Sequence, residues 1–209
     1  MSRAADIHEF WFGALDASGR PEPDRPGRWF SPDEAFDAEV RRRFEADLRN
    51  AAGGRLGRQE RTPRGALALI LLFDQFPRNI YRGTARAFRF DEAARAVLDR
   101  SLPPGRIDAL WPIEKVFAWM PLEHAEDRQC QARSVECFAS LVAAVDSAER
   151  VRYEEFLRHA QQHRDVIERF GRFPHRNDIL GRESTPQEVE WLCGGGQGWG
   201  QTRWTRRCR

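Results

Sequence analysis

Three histidines, three arginines and a set of amides and carboxylates lie beside aromatic residues, prolines and glycines, where polar groups usually mark a turn or a site wall. Arg78, Arg172 and Arg176 carry planar guanidinium donors suited to carboxylate or phosphate, and Asn79 and Asn177 follow two of them directly as orienting hydrogen-bond groups. His124, His163 and His175 can move protons near neutral pH, and Asp74, Glu123, Glu126 and Asp127 can balance or tune them. The candidate catalytic residues are therefore His124, His163, His175, Glu123 and Asp74. The candidate ligand-binding residues are Arg78, Asn79, Arg172, Arg176 and Asn177. Brought together, they would form a polar pocket for a small anion, with acid/base chemistry available. The competing reading makes the same charges structural ion pairs that tie helix ends together.

Other chemistries find less support. His159 and His163 stand four residues apart, a spacing that can place two imidazoles on one metal, but the stretch HAQQH lacks the glutamate of H-E-x-x-H, and no metal site is assigned. There is no G-x-x-x-x-G-K, no G-x-G-x-x-G and no G-x-S-x-G, so the residues name no cofactor and no common nucleotide or hydrolase signature.

The elements that must hold these groups read as helices throughout. Ile7, Phe10 and Trp11 recur at helical spacing before Gly13, which offers a left-handed stop. Residues 13–28, with Pro21, Pro23 and Pro26, read as an extended connection. Ser31-Pro32-Asp33-Glu34 starts a helix whose inward stripe is Phe36, Val40, Phe44 and Leu48. Thr62-Pro63 begins a helix that is apolar nearly all round, which belongs in the middle of the fold, and Pro77 forbids a normal helical continuation beyond it. Further helices are expected from Asp91, from Pro112, from the turn beginning at Pro121, from Glu149 to Phe170, and from the capping box Thr185-Pro186-Gln187-Glu188. In the Glu149 helix, His163 falls within the apolar stripe; Asp165 and Arg169 point away. His175, in the loop beyond it, is the more exposed candidate. No strand alternation interrupts the series, so the fold class is all-α, built of packed helical hairpins. Residues 1–192 form one helical domain, and 193–209 a glycine- and arginine-rich tail expected to be mobile.

Two segments echo one another: Phe73-Asp74-Gln75-Phe76-Pro77-Arg78-Asn79-Ile80 and Phe170-Gly171-Arg172-Phe173-Pro174-His175-Arg176-Asn177-Asp178-Ile179. Each passes from an apolar helix through Phe-Pro to Arg-Asn. A helix-ending turn used twice and a shared site wall explain the echo equally well.

Composition narrows the partners. With 34 basic and 32 acidic residues the net charge is +2, which implies no general pull toward nucleic acid or anionic lipid. Trp199, Trp204 and the tail arginines could stack on single strands, but incidental charge is the preferred account and a nucleic-acid partner is not expected. The longest apolar run, Ala66 to Phe73, is too short to span a bilayer, and the first residues lack a secretory h-region, so no membrane partner and a cytoplasmic location are expected. The four cysteines, without C-x-x-C spacing, read as unreactive thiols.

The segments FWFG, RWF, FDQFPRNIYRGTARAF, PLEHAEDR and HRDVIERFGRFPHRNDILGRESTPQE resemble the bacterial family known as domain of unknown function 924, over residues 7 to 192. The resemblance implies an irregular, tetratricopeptide-like stack of helical hairpins and no established activity. Two function classes follow. The first is an enzyme or binding protein for a small anionic ligand. The alternative is a helical scaffold presenting a groove to a protein or peptide, in which the polar motifs are structural. Motifs rich in Arg, His, Asn and carboxylates favour the small polar ligand.

Overall fold

The computed structural model of the chain describes residues 3–199, and within them every regular element is helical. Ten α-helices follow in order: α1 (Arg3–Phe12), α2 (Arg25–Phe30), α3 (Glu34–Ala52), α4 (Pro63–Phe73), α5 (Gln75–Ile80), α6 (Asp91–Ser101), α7 (Pro112–Glu123), α8 (Arg128–Ala144), α9 (Ser147–Phe170) and α10 (Pro186–Cys193). Short 3-10 turns at Gly57–Arg61, Ala85–Phe88, Ile107–Ala109 and Pro174–Arg176 connect them. None of these helices is long and apolar enough to cross a membrane.

Helix α4 is central because its sequence leaves it no polar face. Every residue from Gly65 to Phe73 is buried, and α1, α3, α6 and α7 pack around it. Helix α1 contributes the aromatic filling: Phe10 and Trp11 lie against Phe36, Phe44 and Phe76, and Trp11 and Phe12 against Phe117. The indole of Trp29 satisfies its one donor on the carbonyl of Trp11 at 2.9 Å, which fixes α2 to this cluster. Helices α8 and α9 pair along their lengths, and α7 packs on both.

Local capping sets most helix boundaries. Thr62 accepts from the amide of Gly65 at 3.1 Å, Thr185 and Glu188 form the reciprocal capping box, and Gly13 and Gly171 take φ of 68° and 70° as helix stops. Other boundaries differ from the sequence reading. Asp33 rather than Ser31 caps α3, accepting from the amides of Ala35 and Phe36 at 2.9 and 3.0 Å. Within the expected extended connection, Arg25–Phe30 closes a helical turn. Pro77 does not end the helical path: α4 stops at Phe73, the chain kinks at Asp74, and Pro77 occupies the first turn of α5, where its missing N–H has no intrahelical partner to lose. Pro121 does not open a helix but lies inside α7, which runs on to Glu123; the next helix starts at Arg128 behind the cap Asp127, which accepts from the amide of Cys130 at 2.8 Å. Glu123 and His124 therefore stand at a helix C-terminus, the end that suits a cation or a neutral acid rather than a carboxylate. Cys130 and Cys137 are free and half-buried, whereas Cys193 is disulfide-bonded, which corrects the reading of all four as thiols.

Gly65 is the tightest approach in the core. A Cβ there would stand 1.9 Å from the backbone oxygen of Gln59, an atom that cannot swing aside as a side chain can. Gly65→Ala is expected to lower stability by at least about 2 kcal/mol despite alanine's better helix propensity, measured by urea unfolding.

Candidate functional site

The kink between α4 and α5 starts the site. Asp74, the single residue between the two helices, is fully buried. Its Oδ1 accepts from His124 Nδ1 at 2.7 Å, and its Oδ2 from the Gln75 amide. One turn on, Arg78 donates to the Asp74 carbonyl at 2.8 Å and grips Asp91 with both Nη atoms, at 2.8 and 3.0 Å. Burial by itself would raise the Asp74 carboxyl, but Arg78, His124 and Gln75 together outweigh it and hold the group well below the usual carboxylate range.

Glu123 has the opposite fate although it shares the neighbourhood. Desolvation, reinforced by the charge of Asp74, pushes it up to about 8 against the pull of Arg78. Burial and the field of Arg78 lower His124, and burial followed by His124 lowers His163 well below the ordinary imidazole value. At neutral pH Glu123 therefore holds its proton and both imidazoles are neutral. The 3.1 Å contact between His163 Nδ1 and Glu123 Oε1 is a contact of neutral groups, not an ion pair. His163 Nδ1 also donates to the carbonyl of His159 at 2.8 Å. With Nδ1 as the donor in both rings, Nε2 is the basic nitrogen of His124 and of His163.

These groups line a cavity of about 590 Å³ bounded by α2, α5, α7 and α9. Of the sequence-derived candidates, Arg78, Asn79, Glu123, His124 and His163 lie on its wall, and Asp74 stands directly behind His124. Asn79 is turned toward Asp37, to which it donates at 2.8 Å.

The second echoed segment comes close without forming the same wall. Arg176 places its guanidinium 4.5 Å from the ring centres of both Phe88 and Phe173, and 3.5 Å from Asp91 Oδ2. The two echoed arginines thus converge on one carboxylate, Asp91. Burial lowers Arg176 to about 10. His175, read as exposed from its loop position, is only 3% accessible and lies between Phe173 and the Trp199 ring. Its Nδ1 has no hydrogen-bond partner among the described residues, and burial, then Arg176, drives its pKa well below the ordinary value. Arg172 and Asn177 are directed elsewhere. Arg172 grips Glu188 at 2.7 and 2.8 Å, and Asn177 donates to Ser184 and Glu188 at 3.1 and 3.2 Å. They fasten the loop to the start of α10 and are not on the cavity wall. Glu126 clamps the same loop from the other side, accepting from the amide of Phe173 and from both Nη atoms of Arg182.

Sequence reasoning passed over several contributors. Gln75, Arg82, Trp29 and Phe30 line the cavity, and Asp91 is the hub of both arginines. A helix-starting aspartate carries no signal of that role, because its partners are 13 and 85 residues away. Trp199 stacks on His163 at 3.9 Å between ring centres, an arrangement unlike the nucleic-acid stacking considered for the tail; Trp204 and the tail arginines lie outside the described residues. Among the described residues no group of three or more His, Cys, Asp and Glu side chains is arranged around a metal position.

Residues 7–196 match the model of a family described as "Bacterial protein of unknown function (DUF924)". A solved structure of a protein of unknown function from Agrobacterium tumefaciens is similar at 40% identity and a TM-score of 0.76, over 90% of this chain and 96% of that one. No curated protein matches.

Proposed function

The chain belongs to this DUF924 family of bacterial proteins, and from its own side chains we propose that it binds a small anionic ligand, a carboxylate or phosphate, and acts on it by proton transfer at His124. The observation that carries the reading is the Asp74–His124 pair at 2.7 Å with the imidazole on the cavity wall beside Glu123. A buried carboxylate on Nδ1 fixes the tautomer and leaves Nε2 as a base, the arrangement by which hydrolytic enzymes orient a catalytic imidazole. Glu123, protonated to about pH 8, is the adjacent acid. Two neighbouring groups whose surroundings drive their proton affinities apart are suited to acid and base roles at one pH. Arg78 and Arg82 are the cations on this wall, paired with Asp91 and with Asp37, and the amides of Gln75 and Asn79 donate to Asp74 and Asp37, so an anion would share these donors with the carboxylates that hold them.

The charges at the base of the cavity make binding pH-dependent. With Glu123 protonated, Asp74 and Asp91 are matched by Arg78 and Arg176. Ionisation of Glu123 adds an unmatched negative charge beside the anion, so affinity is expected to fall above about pH 8, by up to about tenfold per pH unit. Calorimetric titration with inorganic phosphate and with acetate between pH 6 and 9 measures this. An anion can bond Nε2 only as that nitrogen takes up a proton; His124→Asn keeps an amide donor for Asp74 and removes Nε2, so it should fold as the parent does and lose that proton uptake and most of the heat of binding. Equal binding by parent and variant, or no binding of either anion by the parent, would sink the proposal.

A further inference from the structure

The cavity is polarised along its length, which specifies more of the ligand than its charge. Phe30 meets Phe117 on α7 and Phe156 on α9, with ring centres 6.2 and 6.0 Å away. At the other end His124 meets His163, with ring centres 6.1 Å apart. Phe117 precedes His124 by seven residues, and Phe156 precedes His163 by seven. Helices α7 and α9 therefore run in the same direction along the cavity, and its two ends lie roughly 10 Å apart at 1.5 Å per residue.

The ends differ in chemistry. Trp29, Phe30, Ile113 and Phe156 line the first, with Met120 between; Gln75, Arg78, Glu123, His124 and His163 line the second. Outside the polar cluster the charged lining residues are Arg152 and Glu155, exposed and of opposite sign, and Arg82, which is paired with Asp37. Phe30 is 52% accessible although it stacks on Phe117 and lies tilted against Phe156, so it presents apolar surface to the space it lines. A bare phosphate or acetate would occupy the polar end and leave that surface wet. A cavity of about 590 Å³ is in the range that holds a molecule larger than either.

We infer that the ligand is an amphipathic monocarboxylate, its carboxyl group at the Gln75–Arg78–His124 end and an alkyl or aryl body about 10 Å long against Phe30 and Phe156. The inference rests on the anion-binding reading of the same cavity and adds the apolar half.

The test is a homologous series titrated at pH 6.5: acetate, butyrate, hexanoate and octanoate, with inorganic phosphate and the uncharged hexanamide alongside. Affinity is expected to tighten about fourfold per added methylene up to octanoate, the member nearest the length of the cavity, the ratio equivalent to about 0.8 kcal/mol per buried methylene. Hexanamide should bind at least tenfold more weakly than hexanoate. Phe30→Ser, at a position more than half exposed, should fold normally, bind acetate as the parent does and lose most of the gain with chain length. If phosphate or acetate binds as tightly as hexanoate, the amphipathic ligand is wrong while the anion site stands. If hexanamide equals hexanoate, or no member of the series binds, both readings fall.

Discussion

Arg78→Ala is expected to lose about 3–5 kcal/mol of stability, the range found when one partner of a buried charge cluster is removed. The guanidinium is the common partner of two buried carboxylates, at 3.3 Å from Asp74 Oδ1 and bidentate on Asp91. Without it Asp91 keeps only the longer contact with Arg176, at 3.5 Å, and Asp74 keeps His124 and Gln75. Urea unfolding at pH 7 measures the loss. A titration of the histidine resonances separates this cause from a simple packing defect. Arg78 is among the groups that lower His124, so in the variant the imidazole should move up and share its proton with Asp74 as an ion pair. A variant that unfolds less than about 1 kcal/mol more easily, with His124 unmoved, would show that Asp74 and Asp91 are neutralised by other means.

Glu123→Gln should do the reverse and stabilise the protein, increasingly so as pH rises. In the folded chain Glu123 holds its proton to about pH 8, whereas unfolded it releases it near the ordinary value of 4.5. Between those values the native state binds more protons, so the parent loses stability as pH climbs through this window and levels off above it. Glutamine has the shape of the protonated acid, can still accept at the His163 contact, and cannot ionise. The gain is expected to be small at pH 4 and about 4–5 kcal/mol at pH 8.5. Unfolding free energies of parent and variant at both pH values decide the matter: a difference that does not grow with pH means that Glu123 is already ionised in the fold.

Both predictions concern residues whose types were legible and whose circumstances were not. His124, His163, Glu123 and Asp74 stand out along the chain as proton-handling groups, but Asp74 and His124 are 50 residues apart, and their hydrogen bond follows from how α4, α5 and α7 pack. Arg78 and Arg172 both lie in the echoed segments and look equally suited to an anion. One faces the cavity and joins Asp74 to Asp91; the other grips Glu188 and serves the loop. His175 reads as an exposed loop histidine and is buried, because Trp199 and Phe173 lie against it.

The chain by itself determined what depends on neighbours a few residues away. Helical periodicity identified α4 as an all-round apolar rod, and local residue types identified Thr62 and Thr185 as helix starts and Gly13 as a left-handed stop, since these rest on bonds and dihedrals spanning one turn. It misplaced Pro77 and Pro121, because a proline's effect depends on its position within a helix whose start other contacts decide. Only the tertiary structure decided which charges meet, which imidazoles are dry and which carboxyl keeps its proton. Desolvation and Coulomb interactions act through space between groups that the sequence separates by tens of residues, and burial sets their strength.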